Sequence, residues 1–443
     1  MLYGYRMRTR RPLPLLGDLL AFRADRLSFL TGLARDDGDV ATFRIGPYQV
    51  WQLAHPDLVH DVLVANASRF RKGPVLQRAR IVLGDGLLTA EGERHRRPRR
   101  LLQHAFHPRR VEAYATTMVD RAAATTARWT ANRPVDVHRE TVRLTLATAG
   151  ATLLGTEVAD DVDLVEHAID DLLSAYKLAF VPFGWRLQHL PVGPPHRLRR
   201  GRAALHGLID RMMAERRREG RDRGDLLSML VLDEGPDRLS DEEIRDQALT
   251  LLLAGHETTA NALAFALHLL STHPEVESRV HEEVDAALDG RLSTAETVPH
   301  LPVCRGVFAE ALRLFPPSWA MGRQAVEDHP VGDRVVPSGD LVVLPQWVVH
   351  RDPRWWSDPL RCDPDRWAPE GGADRPRWAY FPFGAGARRC IGEGFAWTEG
   401  VLALATITHR WRLRPLPERS LELEPLITLR PRDGLWLLPE PRG

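Results

Sequence analysis

The stretch Phe383-Gly-Ala-Gly-Ala-Arg-Arg-Cys390-Ile-Gly392-Glu-Gly-Phe-Ala396-Trp-Thr-Glu399 decides how the rest of the chain is read. Gly384 and Gly386 let the backbone bend tightly and pass close to a flat partner. Cys390 then stands directly before an amphipathic helical pattern, whose first amides stabilise negative charge on sulfur. Arg388 and Arg389 favour the thiolate further by their charge. An isolated cysteine at a helix start is commonly a small buried side chain. Framed by bending glycines and two arginines, this one suits an axial thiolate.

Upstream lies the longest helical pattern of the chain. Ser240-Asp-Glu-Glu243 has the form of a capping box, and apolar periodicity then runs from Asp241 to Thr272, where His273-Pro274 forces a stop. Such a helix is about 48 Å long and must cross most of the molecule. A membrane span is the competing reading, but Gly255-His-Glu-Thr-Thr259 interrupts its apolar stretch with groups too costly to leave in lipid. Further helical patterns run from about Pro108 to Arg128, Arg139 to Leu154, Arg197 to Glu219 and Pro274 to Leu288. Alternating segments are fewer. Val40–Ile45 and Gln49–Ala54 around Gly46-Pro47 read as a hairpin, and Val335–Leu344 repeats the pattern around Ser338-Gly339-Asp340. The expectation is a mainly α fold with a small β region, residues 1–443 forming one domain without repeats or long linkers.

Composition narrows the function. The 60 basic and 59 acidic residues nearly cancel, so no global field points to nucleic acid or anionic lipid. Only two of the basic residues are lysines, Lys72 and Lys177. Cys304, Cys362 and Cys390 are too few and too odd in number for a disulfide framework, which fits a reducing cytosol. No apolar run reaches the roughly 20 residues of a bilayer span, so a cytoplasmic, monomeric protein is expected.

The pattern F-x-x-G-x-R-x-C-x-G followed by A-x-x-E, matched at every position from Phe383 through Gly386, Arg388, Cys390 and Gly392 to Ala396 and Glu399, resembles the haem-binding motif of the cytochrome P450 family. The resemblance implies the P450 fold, with haem b between the long central helix and the helix after the cysteine loop. It makes Cys390 the iron ligand, whose electron-rich thiolate promotes O–O cleavage. In the long helix, Ala254-Gly255-His256-Glu257-Thr258-Thr259 resembles the family's oxygen-binding groove. There a threonine hydroxyl bonds back to a carbonyl one turn earlier and opens the helix locally, and Glu257 and Thr258 form the acid–alcohol pair that delivers protons to bound oxygen. A zinc site of the H-E-x-x-H kind is the rival chemistry; Ala260 stands where its second histidine is needed.

Three further matches follow. Glu310-Ala-Leu-Arg313 with Arg366 resembles the family's buried structural trio, and His350-Arg-Asp352 a fold contact. His95 and Arg99 resemble the pair that meets the haem propionates, with Arg323 and Arg388 as further candidates. Pro98 between them departs from the expected helix, because it removes an amide bond and can kink the chain. Arg94, Arg96, Arg97 and Arg100 read first as a solvated basic face, which on the thiolate side could steer an acidic ferredoxin.

The chain carries no dinucleotide fingerprint or second cysteine cluster. Electrons are therefore expected from a separate ferredoxin or flavodoxin with its NAD(P)H-dependent reductase, and the oxidant from O2. Substrate-facing positions, by resemblance, are Ile81–Leu88, Leu173–Leu190 and Ser318–Met321, with Phe180, Phe183, Trp185, Trp319 and Met321 as possible lining or plain core. The expected function is oxygenation of a hydrophobic small molecule, a sesquiterpene-like terpene of secondary metabolism. The alternatives are a fatty-acid or polyketide hydroxylase, a haem-thiolate isomerase or peroxygenase, and a non-catalytic haem protein.

Overall fold

The computed structural model describes residues 16–155, 165, 167–168, 171, 193–372 and 374–442. Leu173–Leu190, with Phe180, Phe183 and Trp185, lies outside the described residues. Eight helices carry the architecture: α1 (Glu93–Leu102), α2 (Pro108–Thr126), α3 (Val137–Leu153), α4 (Pro194–Glu219), α5 (Asp241–Thr272), α6 (Pro274–Leu288), α7 (Pro302–Leu314) and α8 (Glu393–Arg410). The capping box of α5 is formed from both sides: Ser240 Oγ accepts from the Glu243 amide, and Glu243 accepts from the Ser240 amide. At the other end α5 stops at His273, and Pro274 opens α6 at a position where its missing amide hydrogen goes unneeded.

Helix α5 is the axis on which two apolar cores meet. Ile244 to Leu252 pack with α2, α3 and α4, whereas Ala262 to Leu270 pack with α6, α7, α8 and the sheet. Between these runs the burial breaks: Leu253, Ala254, Gly255, Glu257 and Thr258 are only half-buried, although the helix there is deep in the molecule. A polar, partly accessible stretch at the junction of two cores is where a fold can open an interior site.

The sheet has five strands in the order β1-β2-β7-β4-β3, with β1 (Val40–Ile45), β2 (Tyr48–Leu53), β3 (Phe70–Lys72), β4 (Met321–Ala325) and β7 (Leu341–Leu344). β1 and β2 form the expected hairpin, turning at Gly46 with φ +56°. The second expected hairpin is not formed. β6 (Arg334–Val336) pairs instead with β5 (His329–Val331) across Gly332, while β7 runs parallel to β2 and antiparallel to β4. The residues of the would-be turn are spent elsewhere: the Gly339 amide donates to Ala325, the Ala325 amide to Asp340, and Trp51 Nε1 to the Asp340 carboxylate at 2.8 Å. Long-range sheet pairing here overrides a local turn signal.

Candidate active site

The cysteine loop is built by hydrogen bonds that close it on itself. The Gly384 amide donates to Phe381, that of Arg389 to Gly386, and that of Cys390 to Phe383 at 2.9 Å. Gly384 and Gly386 take φ of +69° and +65°, so the bends read from sequence need glycine. A Cβ at Gly386 would stand 2.2 Å from the Leu63 carbonyl oxygen, so nothing larger fits there. The Phe383 ring lies 5.9 Å from that of Trp397 on α8, which seats the loop against the helix that follows it.

Cys390 is the one cysteine of the three with accessible surface. Desolvation pushes its thiol upward. The Gly392 amide opposes that shift, Glu393 reinforces it, and Arg99 and Arg389 oppose it. Here the sequence reading needs correction. Arg388 does not serve the sulfur: it turns away, donating to the Ala90 carbonyl at 2.9 Å and pairing with Glu91. Adjacent residues on a tight loop point in different directions, which spacing alone cannot assign.

Turning away brings Arg388 into a cluster of basic side chains. His95 and Lys72 are buried, and Arg99, Arg323 and Arg388 half-buried. Burial, then the charges of Arg388, Lys72 and Arg99, pushes His95 down to about 3. Burial, then Arg388, lowers Lys72 to about 7 against the opposing pull of Glu91. Arg323 and Arg388 are depressed in the same way. Glu91, whose other oxygen accepts from the Lys72 amide, is the acid that interacts with Lys72, Arg323 and Arg388. Lys72, Arg323 and Arg388, all desolvated, share the one carboxylate of Glu91, and the neutral ring of His95 beside them can donate a hydrogen bond; such a set has room for a further anion and fits the two carboxylates of a haem. Pro98 does not prevent this. α1 continues through it, and His95 and Arg99, one turn apart, both face Arg388.

Lys72 was not legible as a site residue. It sits directly opposite Arg323 across the β3–β4 pair, and its Nζ donates to Leu87 and Ala90. The available signal was that the chain keeps a lysine there among arginines.

On α5, Thr258 Oγ1 donates to the Ala254 carbonyl at 2.8 Å, the back-bond expected of the groove. The expected opening is absent, since α5 stays α-helical throughout. Helix α3 braces this stretch from the side, Thr145 donating to the His256 carbonyl and Thr141 to that of Ala260. A Cβ on Gly255 would touch nothing within 4 Å, so this face is unobstructed. His256 points away from it, its Nδ1 within 2.6 Å of the Leu252 carbonyl. Among the described residues no group of three His, Cys, Asp or Glu side chains could hold a metal ion.

The surrounding structure fixes these parts. Arg313 forks onto Glu310 with two 2.7 Å bonds and donates to the carbonyls of His350, Pro359 and Arg361; both side chains are wholly buried. Arg366 completes the trio at 3.8 Å, and His350 Nε2 accepts from the Phe381 amide, holding the start of the cysteine loop. Trp319 is core rather than lining, donating to the Leu426 carbonyl. Met321 approaches Gly384 so closely that a Cβ there would meet its methyl at 2.8 Å. Of Ile81–Leu88, the latter part is tied to α5 by the Asp85 amide on Asp246 and the Leu87 amide on Gln247. Two surface grooves, one beside His409 and Arg442 and one beside Arg217 and Leu232, share no residue with this constellation.

The chain belongs to the cytochrome P450 family of haem-thiolate oxygenases, whose sequence profile matches residues 7–438. It is a P450 monooxygenase taking haem b, O2 and external electrons. Among its relatives are the cyclooctatin synthase of Streptomyces melanosporofaciens, 41% identical over 97% of this chain and 94% of that protein. The pentalenene oxygenase of Streptomyces avermitilis is 37% identical over 94% and 93%. The solved cytochrome P450DA haem domain superposes with a TM-score of 0.87 at 30% identity, covering 96% of this chain and 95% of the other. No helix among the described residues is long and apolar enough to cross a membrane.

Proposed function

We propose that this P450 oxygenates a terpene hydrocarbon, with Cys390 as iron ligand, Glu257 and Thr258 as the proton-delivering pair, and a ferredoxin or flavodoxin with its NAD(P)H-dependent reductase as electron source. The observation that carries the substrate class is the identity, over nearly the full chain, with relatives named for cyclooctatin, cyclooctat-9-en-7-ol and pentalenene. When bound, haem supplies dioxygen binding and reductive activation. His95, Arg99, Arg323 and Arg388, with Lys72 added by the structure, would hold its carboxylates, and Phe383, Gly384, Gly392, Ala254 and Gly255 would line its two faces. Thr258, whose proton is engaged on Ala254, presents lone pairs that accept an incoming O–H. Glu257 relays the proton that follows, taking it up from solvent before passing it on.

A Soret titration of the ferric holoenzyme with pentalenene, a fatty acid and a macrolide tests the substrate class. Displacement of the iron-bound water shows as a low-spin to high-spin shift. A saturable shift with pentalenene is expected. A shift with the fatty acid alone would move the assignment to an acyl chain.

A further inference from the structure

Glu257 is tethered by residues that lie far away in sequence. Thr428, at the tip of the hairpin of Leu423–Pro425 and Leu429–Pro431, is buried and donates its hydroxyl to Glu257 Oε1 at 2.7 Å. Asn261, wholly buried one turn further along α5, donates Nδ2 to Thr428 Oγ1 at 3.3 Å. Asn261 Oδ1 in turn stands 2.8 Å from Nε2 of His138 on α3. The tip is held in place from behind: the Leu429 amide donates to Pro317, and Trp319 Nε1 to Leu426.

Donor and acceptor counting gives this chain a direction. An amide offers hydrogens at nitrogen and lone pairs at oxygen. With Asn261 oxygen toward the ring, His138 must carry its proton on Nε2, Asn261 must donate to Thr428, and Thr428 is left to donate to an ionised Glu257. The opposite arrangement is also complete: a protonated Glu257 donates to Thr428, Thr428 to Asn261 oxygen, and Asn261 nitrogen to a His138 ring protonated on Nδ1. A mixed arrangement leaves one buried group unpaired, at roughly 1–3 kcal/mol. The two directions therefore track whether Glu257 is charged.

We propose that Thr428, Asn261 and His138 form a directional hydrogen-bond chain in which Thr428 is a positioning residue, holding Glu257 by Oε1 as an oriented anion for proton delivery. The proposal rests on the acid–alcohol reading of Glu257 and Thr258. No proton needs to pass through the Asn261 amide; the chain reverses by rotating hydroxyl and amide and exchanging the His138 tautomer. Asp136 and Arg430 also face His138, and Glu257 acts on it from across the chain.

The test uses haem-loaded protein labelled with [15N]histidine, the His138 signal being assigned with His138→Gln. Neutral His138 is expected to be protonated on Nε2. Thr428→Val and Glu257→Gln, one and two links beyond Asn261 as counted from His138, should each redistribute it toward Nδ1, while Thr428→Ser should not. An unmoved tautomer in both variants overturns the chain. In parallel, oxygen consumption is measured in H2O and D2O without substrate, using a plant-type ferredoxin and its reductase. Thr428→Val should slow it roughly threefold to tenfold and raise the solvent isotope effect, short of the roughly 100-fold or more that a general acid supplies, with Thr428→Ser restoring both. Slow Glu257→Gln beside unchanged Thr428→Val overturns the positioning role and leaves the relay standing. If Glu257→Gln is also unchanged, the relay reading falls, and the tautomer alone decides the chain.

Discussion

At the residue scale, the thiol and a buried acid make opposite claims on their surroundings. Cys390 is pushed toward its neutral form by burial and drawn back by the Gly392 amide and by Arg99 and Arg389. A metal ion settles that contest, because coordination deprotonates a thiol. Cys390→Ser is expected to abolish the red-shifted Soret band of the ferrous carbonyl form, and an unchanged band would remove Cys390 as ligand. Glu399, on α8, has no such rescue. It is wholly buried, both carboxylate oxygens lack a partner, and the Thr148 hydroxyl beside it donates to Leu144 instead. Burial raises its carboxyl to about 8. The unfolded chain releases this proton near pH 4.5, whereas the folded protein keeps it until about pH 8. Folding therefore takes up a proton in that interval, and the contribution of Glu399 to stability declines as pH rises through it and levels off above about 8. Glu399→Gln should gain on wild type by a few kcal/mol, on the order of the shift in pKa, between pH 5 and pH 8. Urea denaturation at both pH values checks this; an equal gap at both would mean that Glu399 folds ionised.

At the element scale, α7 anchors the loop of the thiol through Arg313. Its side chain satisfies one carboxylate and three backbone carbonyls from residues 350 to 361. Only a planar fork reaches all of them. Arg313→Lys retains the charge and should still cost about 3 kcal/mol or more, by leaving Glu310 partly unpaired in a dry site. It should lower both the melting temperature and the haem-to-protein absorbance ratio, since the segment it ties leads into Phe381 and the cysteine loop. An unchanged melting temperature would reduce the pair to decoration. This element was partly legible. Spacing of three placed Glu310 and Arg313 on one face, but their complete burial, which changes their weight, follows from packing that no local pattern contains.

At the scale of the whole molecule, a net charge of +1 leaves electron-donor docking to local fields. The arginine run of α1 is less free than its sequence suggests. Arg94 pairs with Asp85, Arg96 with Glu93, Arg97 with Glu243 of the α5 capping box, and Arg100 approaches Asp237 at 3.6 Å. Arg97 is thus committed to the start of α5, and Arg96 and Arg100, both well exposed, are the ones to reverse. Arg96→Glu with Arg100→Glu should slow reduction by a ferredoxin several-fold at low salt, with the difference closing as salt screens it. Equal rates at low salt would move docking to another face.

What the sequence determined by itself is local or motif-borne. The extent of α5 follows from a capping box and a proline, the loop bends from glycine's access to positive φ, and the thiol's place from its position before a helix. The tertiary structure decided whatever depends on distant partners. β7 abandoned its hairpin because Ala325 and Trp51 offered Asp340 and Gly339 better pairing. Arg388 left the sulfur for Glu91, Lys72 became part of a cation cluster by facing Arg323 across two strands, and Thr428 reached Glu257 from 171 residues away. Periodicity and caps act within a few residues, whereas buried charge must be balanced by whatever the fold brings alongside.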